Sequence, residues 1–259
     1  MTIDSSSIIS KKTKIHSSVN IGPYCIIGDD VEIDEGANVL SHVIIKGPTK
    51  IGKNNTIYQF SSIGEDTPDK KFKGEDTKLI IGDDNVFREG VTVHRGTIQD
   101  KGVTKIGNGN LFMAYTHIAH DCLVGDNNIF ANNAGIAGHV SVGNCVVLGG
   151  YSTVHQFCSL GDYSFAGMKT SITMDVPAYT KVASNPARVI GLNSVGMSRN
   201  NIPSESISLI KKAFKIIYKK GLKLEDSLKE IDILLAETND TYLDIFSQSI
   251  KASSRGILR

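Results

Sequence analysis

An apolar residue recurs at every sixth position along most of the chain. The register starts at Ile9, continues without a slip to Ile63, resumes at Ile81 for three repeats, and then runs from Ile106 to Ile172. The position after the apolar residue is often Gly or another small residue, and the fifth position is mostly small or β-branched. An α-helix repeats every 3.6 residues and a single strand every two, so neither element produces this period.

A strict period of six predicts a parallel β-helix, in which short strands follow flat faces and Gly, Asn or Asp occupy the corners. Three hexads, about 18 residues, form one triangular coil, and successive coils stack about 4.8 Å apart. The fold class is therefore predicted to be mainly β, with the β-helix over residues 1–190. Two interruptions of the register predict loops inserted near residues 64–80 and 98–105.

The apolar spacing changes from that of a β-helix to that of amphipathic helices near Asn201. Pro203 and Ser204 are typical of a helix start, and Gly221 is typical of its end. Residues 224–237 and 242–253 predict two further helices. Residues 191–259 are thus predicted to form a C-terminal α-helical domain, which would cap the open end of the solenoid.

Composition and charge exclude several classes of partner. Lys and Arg number 28 against 27 Asp and Glu, and the chain has no long basic run, so we expect no nucleic-acid partner. No apolar run approaches the roughly 18 residues that a membrane span needs, and the N-terminus lacks the features of a secretion signal. A cytoplasmic protein is expected, and its four cysteines, which form no CxxC pair, are expected to be reduced.

The coil length predicts which distant residues lie together, because residues one coil apart share an edge of the prism. His120, Gly138 and Gln156 form one such column, and Asp121 and His139 belong to the column beside it. Four of the seven histidines fall in this short region. They are His117, His120, His139 and His155.

Three interpretations of this cluster compete. The side chains could be solvated corner residues, which is common for polar groups at the turns of a β-helix. They could hold zinc, but no glutamate lies in the column and three convergent imidazoles are hard to arrange within one subunit, so we expect no metal. They could form an acid–base site, which needs an imidazole held by a carboxylate and a backbone N–H close to the reacting carbonyl. His120, Asp121 and Gly138 match this third requirement best.

Longer blocks of sequence resemble a known family, the acyl-carrier-protein-dependent UDP-N-acetylglucosamine O-acyltransferases that begin lipid A synthesis in Gram-negative bacteria. The matching blocks are SHVIIKGPTKIG, YQFSSIGE, VTVHRGT, HIAHDC, ANNAGIAGHVSVG, VHQFC, DVPAY and the terminal SSRGILR. The resemblance implies a left-handed β-helix and a homotrimer with active sites between subunits. It also implies transfer of an (R)-3-hydroxyacyl chain from acyl carrier protein to the 3-hydroxyl of UDP-N-acetylglucosamine, without a cofactor.

The same resemblance implies roles for individual residues. His120 would be the general base, Asp121 its orienting partner, and the Gly138 N–H the group that holds the oxyanion. Met168 matches a position at the far end of the acyl groove, where it would limit chain length. The positions that match substrate-binding residues are Asp69, Lys71, His117, His139, His155, Gln156, Asn193 and Arg199.

Two positions depart from the family pattern, and three other functions compete with the O-acyltransferase. The family typically has a glutamate and a second arginine where this chain has Val195 and Asn200, which puts the mode of nucleotide binding in doubt. One competitor is the N-acyltransferase of the same pathway, although that enzyme normally carries a domain before the repeats, whereas here Ile9 already begins them. The others are a non-enzymatic scaffold and a β-helix carbonic anhydrase, which metal analysis would reveal.

Overall fold

The chain forms three largely parallel sheets that are built from very short strands. The structure is a computed structural model, and it describes residues 2–259. The first sheet contains β1 (Thr2–Ile3), β4 (Asn20–Ile21), β7 (Asn38–Val39), β10 (Thr56–Ile57), β13 (Val86–Phe87), β16 (Leu111–Phe112), β19 (Ile129–Phe130), β22 (Val147–Leu148), β25 (Phe165–Ala166), β27 (Thr180–Ala183) and β28 (Arg188–Leu192). The second contains β2 (Ile8–Ile9), β5 (Ile26–Ile27), β8 (Ile44–Ile45), β11 (Ser62–Glu65), β14 (Thr92–His94), β17 (His117–Ile118), β20 (Gly135–Ile136), β23 (Thr153–Val154) and β26 (Ser171–Ile172). The third contains β3 (Lys14–Ile15), β6 (Val31–Ile33), β9 (Thr49–Ile51), β12 (Lys78–Ile81), β15 (Val103–Ile106), β18 (Leu123–Val124), β21 (Ser141–Val142) and β24 (Ser159–Leu160).

Strand pairing follows the predicted coil. From β1 to β26 consecutive strands pass from the first sheet to the second and then to the third, so every third strand lies in the same sheet. Within a sheet Asn20 pairs with Asn38, and His117 pairs with Gly135, in each case 18 residues further along the chain. The chain is therefore a three-sided parallel β-helix, and the predicted fold class is confirmed.

The repeating apolar residues fill the interior of the prism. From Ile21 to Ile172 the residue that begins each hexad is buried, whereas Ile9 and Ile15 are only half-buried at the open N-terminal end. Phe87, Phe112 and Phe130 continue the core as a column of rings whose centroids lie 5.0 and 5.1 Å apart. Burial of an aliphatic side chain contributes roughly 1.5–3 kcal/mol. Stability is therefore spread over many coils.

The corner between the third and first sheets explains why glycine so often follows the apolar residue. At this corner an Asn or Asp side chain of one coil accepts a hydrogen bond from the backbone of the coil before, as Asp126 Oδ1 does from the Asn108 N–H at 2.7 Å. A Cβ on Gly107 would lie 2.2 Å from that same Asp126 oxygen. A side chain at this position would therefore break the ladder of hydrogen bonds that joins the coils.

Both inserted loops leave the prism at the corner between the second and third sheets. The first loop, residues 66–77, connects β11 to β12, and the second, residues 95–102, connects β14 to β15. The first loop is shorter than the predicted interruption at 64–80, because the flanking strands extend beyond their hexads, and the second begins three residues earlier than the predicted 98–105. Arg95 joins the two loops, since its guanidinium donates to the Gly64 carbonyl and pairs with Asp66. The same corner carries His120, so both loops lie beside the predicted site.

Four helices follow the β-helix. They are α1 (Ser194–Arg199), α2 (Ser204–Lys219), α3 (Leu224–Thr238) and α4 (Thr241–Lys251). The three predicted helices correspond to α2, α3 and α4. The apolar spacing did not predict α1, which has only six residues and contains a glycine, or the antiparallel pairing of β27 with β28. The boundary proposed at residue 190 falls within β28, so the first sheet continues two residues further to Leu192.

Asp175 joins the C-terminal tail to the last coil. It is only 2% exposed, and its carboxylate accepts hydrogen bonds from the Ser159 N–H at 2.7 Å and the Ser253 hydroxyl at 2.6 Å. Its backbone also exchanges hydrogen bonds with Gly256 and Leu258. The tail therefore covers the C-terminal end of the solenoid.

Asp175→Ala should lower the free energy of unfolding by about 2 kcal/mol, because it leaves two part-buried donors without an acceptor. Urea denaturation followed by circular dichroism measures the change. Asp226→Ala is the control: Asp226 pairs with Lys229 on the surface of α3, and its removal should cost less than about 0.5 kcal/mol. Equal effects of the two substitutions would show that the tail contributes little to stability.

Candidate active site

A cavity of about 530 Å³ opens where the first inserted loop meets the second sheet. The loop contributes one wall, and β17, β20 and β23 with the turns after them contribute the floor. Small residues dominate that floor, which gives a shallow channel running along the sheet away from His120. The lining residues are Thr67, Pro68, Asp69, His117, Ala119, His120, Gly135, Ile136, Ala137, Gly138, Thr153 and Val154.

His120 forms a pair with Asp121 at the edge of this cavity. The His120 Nδ1 lies 2.9 Å from Asp121 Oδ2. Because a carboxylate only accepts hydrogen bonds, the shared proton lies on Nδ1 and leaves Nε2 as the basic nitrogen. The sequence predicted this pair, and the second inserted loop adds Thr97, whose backbone N–H and hydroxyl both donate to the same carboxylate.

The surroundings of Asp121 keep its carboxyl ionised. Burial alone would raise the pKa of Asp121, but the hydrogen bonds from His120 and Thr97 outweigh burial and hold the pKa below its usual value. An ionised Asp121 holds the His120 ring in one orientation, and it would stabilise the imidazolium when His120 takes a proton.

Gly138 lies against the His120 ring, one coil further along the chain. A Cβ on Gly138 would lie 2.5 Å from His120 Cε1 and 2.6 Å from Nε2, so no other residue fits without displacing the ring. Within residues 2–259 the Gly138 backbone N–H has no hydrogen-bond acceptor. A free donor beside the basic nitrogen is the arrangement that an oxyanion site requires.

A second pair of histidines lies beside this site. The His94 and His117 rings meet edge to face at 5.0 Å, and a hydrogen bond of 2.7 Å joins His117 Nδ1 to the Thr92 hydroxyl. Burial lowers the pKa of His94 to about 4, and burial together with the nearby His120 lowers the pKa of His117. Both rings are therefore neutral near pH 7, and His117 faces the cavity as a neutral hydrogen-bonding group.

His139 contacts His120 without lining the cavity. Its ring meets the His120 ring edge to face at 5.0 Å and stacks on Phe157 at 4.4 Å. Its Nδ1 donates to Asp100 Oδ2, which lies 2.9 Å away on the second inserted loop. His139, which the sequence predicted to bind substrate, is thus held by three neighbours within its own subunit.

The other predicted residues of this edge are more exposed. His155 and Gln156 lie one coil beyond His139 and are both exposed, with the His155 Nδ1 donating to the Gln156 carbonyl at 3.2 Å. Asp69 faces the cavity, and its carboxylate accepts from the Lys71 backbone N–H at 2.9 Å, while the Lys71 ammonium stays exposed.

Asn193 and Arg199 lie in a separate cavity of about 520 Å³, formed by the first sheet and α1. The Asn193 side chain is already engaged, since its Oδ1 accepts from the Gly196 N–H at 3.0 Å and its Nδ2 donates to the Tyr163 carbonyl at 2.9 Å. Arg199 and Lys181 are the cations that line this cavity, and no acidic residue does. One subunit therefore does not bring its Arg199 to its own His120.

Met168 lies at a third place, the corner between the first and second sheets, and is 72% exposed. It borders β26, which is three strands beyond β17 in the second sheet. At the usual strand spacing this is about 14 Å along the channel floor from the level of His120. Met168 and His120 thus flank opposite edges of the same sheet.

His120, Asp121 and His139 have donor atoms within 4.8 Å of one another, and no other set of three ligand-type side chains does so in the described chain. These atoms already bond to one another and to Thr97 and Asp100. A metal ion would have to replace those hydrogen bonds. The donor set therefore suits proton transfer better than coordination.

Three parallel sheets of hexads with a polar site at one corner define a class, the hexapeptide-repeat transferases. Residues 104–138 match the family described as bacterial transferase hexapeptide (six repeats), and residues 175–258 match the family described as Udp N-acetylglucosamine O-acyltransferase, domain 2. The chain is 51% identical to the acyl-[acyl-carrier-protein]–UDP-N-acetylglucosamine O-acyltransferase of Stutzerimonas stutzeri (strain A1501), with 99% of each chain covered. The chain belongs to this O-acyltransferase family.

Other relatives agree along the whole length. The chain is 50% identical to the protein of the same name from Pseudomonas entomophila (strain L48), with 100% of this chain and 99% of the relative covered. The crystal structure of the UDP-N-acetylglucosamine O-acyltransferase from Moraxella catarrhalis superposes with a TM-score of 0.97 at 46% identity, with both chains fully covered. The enzyme interpretation is confirmed, and the N-acyltransferase and scaffold alternatives gain no support. No helix among residues 2–259 is long and apolar enough to cross a membrane.

Proposed function

We propose that this enzyme transfers an (R)-3-hydroxyacyl chain from acyl carrier protein to the 3-hydroxyl of UDP-N-acetylglucosamine, the first step of lipid A synthesis. The observation that carries the proposal is the 2.9 Å contact between His120 and Asp121 next to the free N–H of Gly138. The names of full-length relatives supply the substrates. We expect it to act without a metal or cofactor in the cytoplasm.

The reaction follows from these three groups. His120 Nε2 takes the proton of the sugar 3-hydroxyl while the hydroxyl oxygen attacks the thioester carbonyl. The tetrahedral oxyanion then accepts a hydrogen bond from the Gly138 N–H, and Asp121 stabilises the imidazolium. As the intermediate collapses, the C–S bond breaks and His120 returns the proton to the departing thiolate. The products are the 3-O-acyl sugar nucleotide and the free carrier thiol.

The cavity accommodates both substrates of this reaction. Asp69 and Lys71 on the first loop, with His117 on the floor, would bind the sugar next to His120. His155 and Gln156, which lie just outside the cavity lining, would border the first carbons of the acyl chain, whereas His139 lies behind His120 and does not line the cavity. The small residues of the channel floor, such as Gly135 and Ala137, leave room for an apolar chain that runs toward Met168.

The separation of the two cavities supports a homotrimer with active sites between subunits. Arg199 and Lys181 offer positive charge suited to a diphosphate, yet they border the first sheet, whereas His120 lies at the opposite corner of the prism. A second copy would bring its Arg199 to the first copy's His120. The second sheet also exposes Ile8, Ile26 and Ile44, an apolar strip that subunit contact would cover.

Met168→Gly should shift the preferred acyl chain to a greater length, because it removes the side chain at the far end of the channel. Each extra methylene accommodated should alter selectivity by about 1–3 kcal/mol. Competition between carrier-bound chains of increasing length, read by mass spectrometry, measures the shift. Met168→Leu keeps the volume and should keep the wild-type preference. If Met168→Gly prefers the same chain as wild type, Met168 does not set the limit.

The function itself is tested with purified enzyme, UDP-N-acetylglucosamine and a panel of (R)-3-hydroxyacyl carrier proteins. Mass spectrometry should find one acyl chain per sugar nucleotide, joined as an ester to the 3-oxygen. Two comparisons are made. One uses a UDP-N-acetylglucosamine analogue with an amine in place of the 3-hydroxyl, and the other uses a carrier protein whose acyl chain lacks the 3-hydroxy group. No product with UDP-N-acetylglucosamine and any donor, or a product formed only with the 3-amino sugar, would refute the proposal.

A further inference from the structure

Asp100 reaches from the second inserted loop to the imidazole behind the proposed base. Its Oδ2 lies 2.9 Å from His139 Nδ1, and the His139 side chain is only 12% exposed. Residues 95–102 carry no hexad register, so Asp100 belongs to no column of the prism. It is also separate from the His120–Asp121 pair, because its only hydrogen bond among the described side chains is to His139.

Three contacts restrain the His139 ring in different directions. Phe157 lies parallel to it, with 8° between the ring planes and 4.4 Å between the centroids, so the ring cannot move toward Phe157. The hydrogen bond to Asp100 restrains rotation of the ring within that stack. The third contact is with His120, whose plane is turned by 89°. Of the three, only the contact with Asp100 is a hydrogen bond; His139 Nδ1 also lies 4.0 Å from Asp121 Oδ2, beyond hydrogen-bonding distance.

The His120 ring is consequently held between two surfaces. Gly138 closes one side, where even a methyl group would come within 2.5 Å of the ring. The ring of His139, perpendicular to that of His120, closes another side at a centroid distance of 5.0 Å. Asp121 limits rotation of His120 through Nδ1, but one hydrogen bond leaves the ring free to tilt about that contact. His139 removes this remaining freedom while its own ring stays in place.

We propose that Asp100 is a positioning residue for the general base: by holding His139, it keeps the His120 ring against the Gly138 N–H. The inference rests on the proposed role of His120. Asp100 does not touch the cavity, so it acts on the rate of transfer and not on the binding of the sugar nucleotide. Because misplacement of a catalytic group by about 1 Å can lower a rate on the order of 10²-fold, loss of this restraint has a measurable effect.

Asp100→Ala should lower kcat by about 10-fold and leave the KM for UDP-N-acetylglucosamine within about 2-fold, because geometry changes and binding does not. Asp100→Asn keeps an oxygen that accepts from His139 Nδ1, and it should retain kcat within about 2-fold of wild type. Lys101→Ala is the control, because it changes the adjacent exposed residue of the same loop. Equal kcat values for Asp100→Ala and Lys101→Ala would overturn the proposal, and so would failure of the asparagine to restore kcat.

A double-mutant cycle distinguishes an effect of Asp100 that passes through His139 from a general effect on the loop. In a His139→Phe background the hydrogen bond is already absent, so adding Asp100→Ala should change kcat no further. An undiminished effect in that background would show that Asp100 acts by another route.

A chemical readout does not depend on transfer activity and separates this inference from the proposed function. Diethyl pyrocarbonate modifies accessible imidazoles, and mass spectrometry locates the modified residue. His139 should react several-fold faster in Asp100→Ala than in wild type or Lys101→Ala. An unchanged rate at His139 would overturn the positioning role even if the enzyme proved to use other substrates.

Discussion

His120→Ala should fold normally and lose transfer activity by at least about 10²–10⁴-fold, the range attributed to general-base catalysis. The substitution removes the basic nitrogen beside the Gly138 N–H and leaves the hexad core intact, because His120 lies at a corner of the prism. The initial rate of ester formation at saturating substrates measures the loss. Circular dichroism and the unfolding midpoint confirm that the fold is retained.

His16→Ala is the matched control for this substitution. His16 is an exposed histidine at another corner of the β-helix, where its ring contacts Ser18 at 2.9 Å. Its removal should leave the rate unchanged. A His120→Ala enzyme with near-normal turnover would remove His120 from the mechanism, and an unfolded protein would show that His120 serves the fold.

Gly138→Ala should lower kcat by about 10²-fold, because its new methyl group collides with the base. The Cβ would lie 2.5–2.6 Å from two atoms of the His120 ring, closer than any real contact, so the ring must move away from the N–H that holds the oxyanion. The Gly138 backbone does not need a positive φ, so alanine adds no backbone strain. Single-turnover rates at saturating substrate isolate the chemical step from binding.

Gly150→Ala provides the comparison for that variant. Gly150 occupies the same position of its hexad at a different corner, and a Cβ there would lie 3.3 Å from its nearest neighbour, the Asn132 carbonyl oxygen. Wild-type turnover is expected for Gly150→Ala. If both alanine variants lose activity equally, the effect comes from the corners of the solenoid and not from the contact with His120.

The repeat made most of the fold predictable. A buried apolar residue at each sixth position indicates a three-sided solenoid, so the strands, the coil length and the inward column all followed from the register. The neighbours of His120 followed as well, since no insertion separates it from Gly138 along the chain. Helices α2 to α4 have enough apolar positions to reveal their period, whereas α1 is too short to do so.

The parts of the site that come from outside the repeat were not predictable. Thr97 and Asp100 lie in a loop that does not follow the hexad register. The sequence therefore does not indicate which residues their side chains contact. His94 was missed because the loop that follows it separates it from His117 by more than one coil. Only the observed pairing of Thr92 with His117 brings those two histidines together.

The separation of the two proposed halves of the site, at His120 and at Arg199, has a physical origin. A β-helix presents each hexad to one face only, so a single chain cannot place residues of the first sheet next to the corner between the second and third sheets. Association of subunits would bring these two sets of residues together, and catalysis would then depend on assembly. His120 and Arg199 would then act together only across a subunit boundary.

Complementation between two inactive variants tests this account most directly. His120→Ala and Arg199→Ala should each be nearly inactive alone, and co-refolding of equal amounts should give mixed trimers. If each site takes His120 from one subunit and Arg199 from the next, random assembly leaves about one quarter of the sites intact, so activity should return to about a quarter of the wild-type value. Activity in the mixture no higher than in the separate variants would contradict an active site shared between subunits.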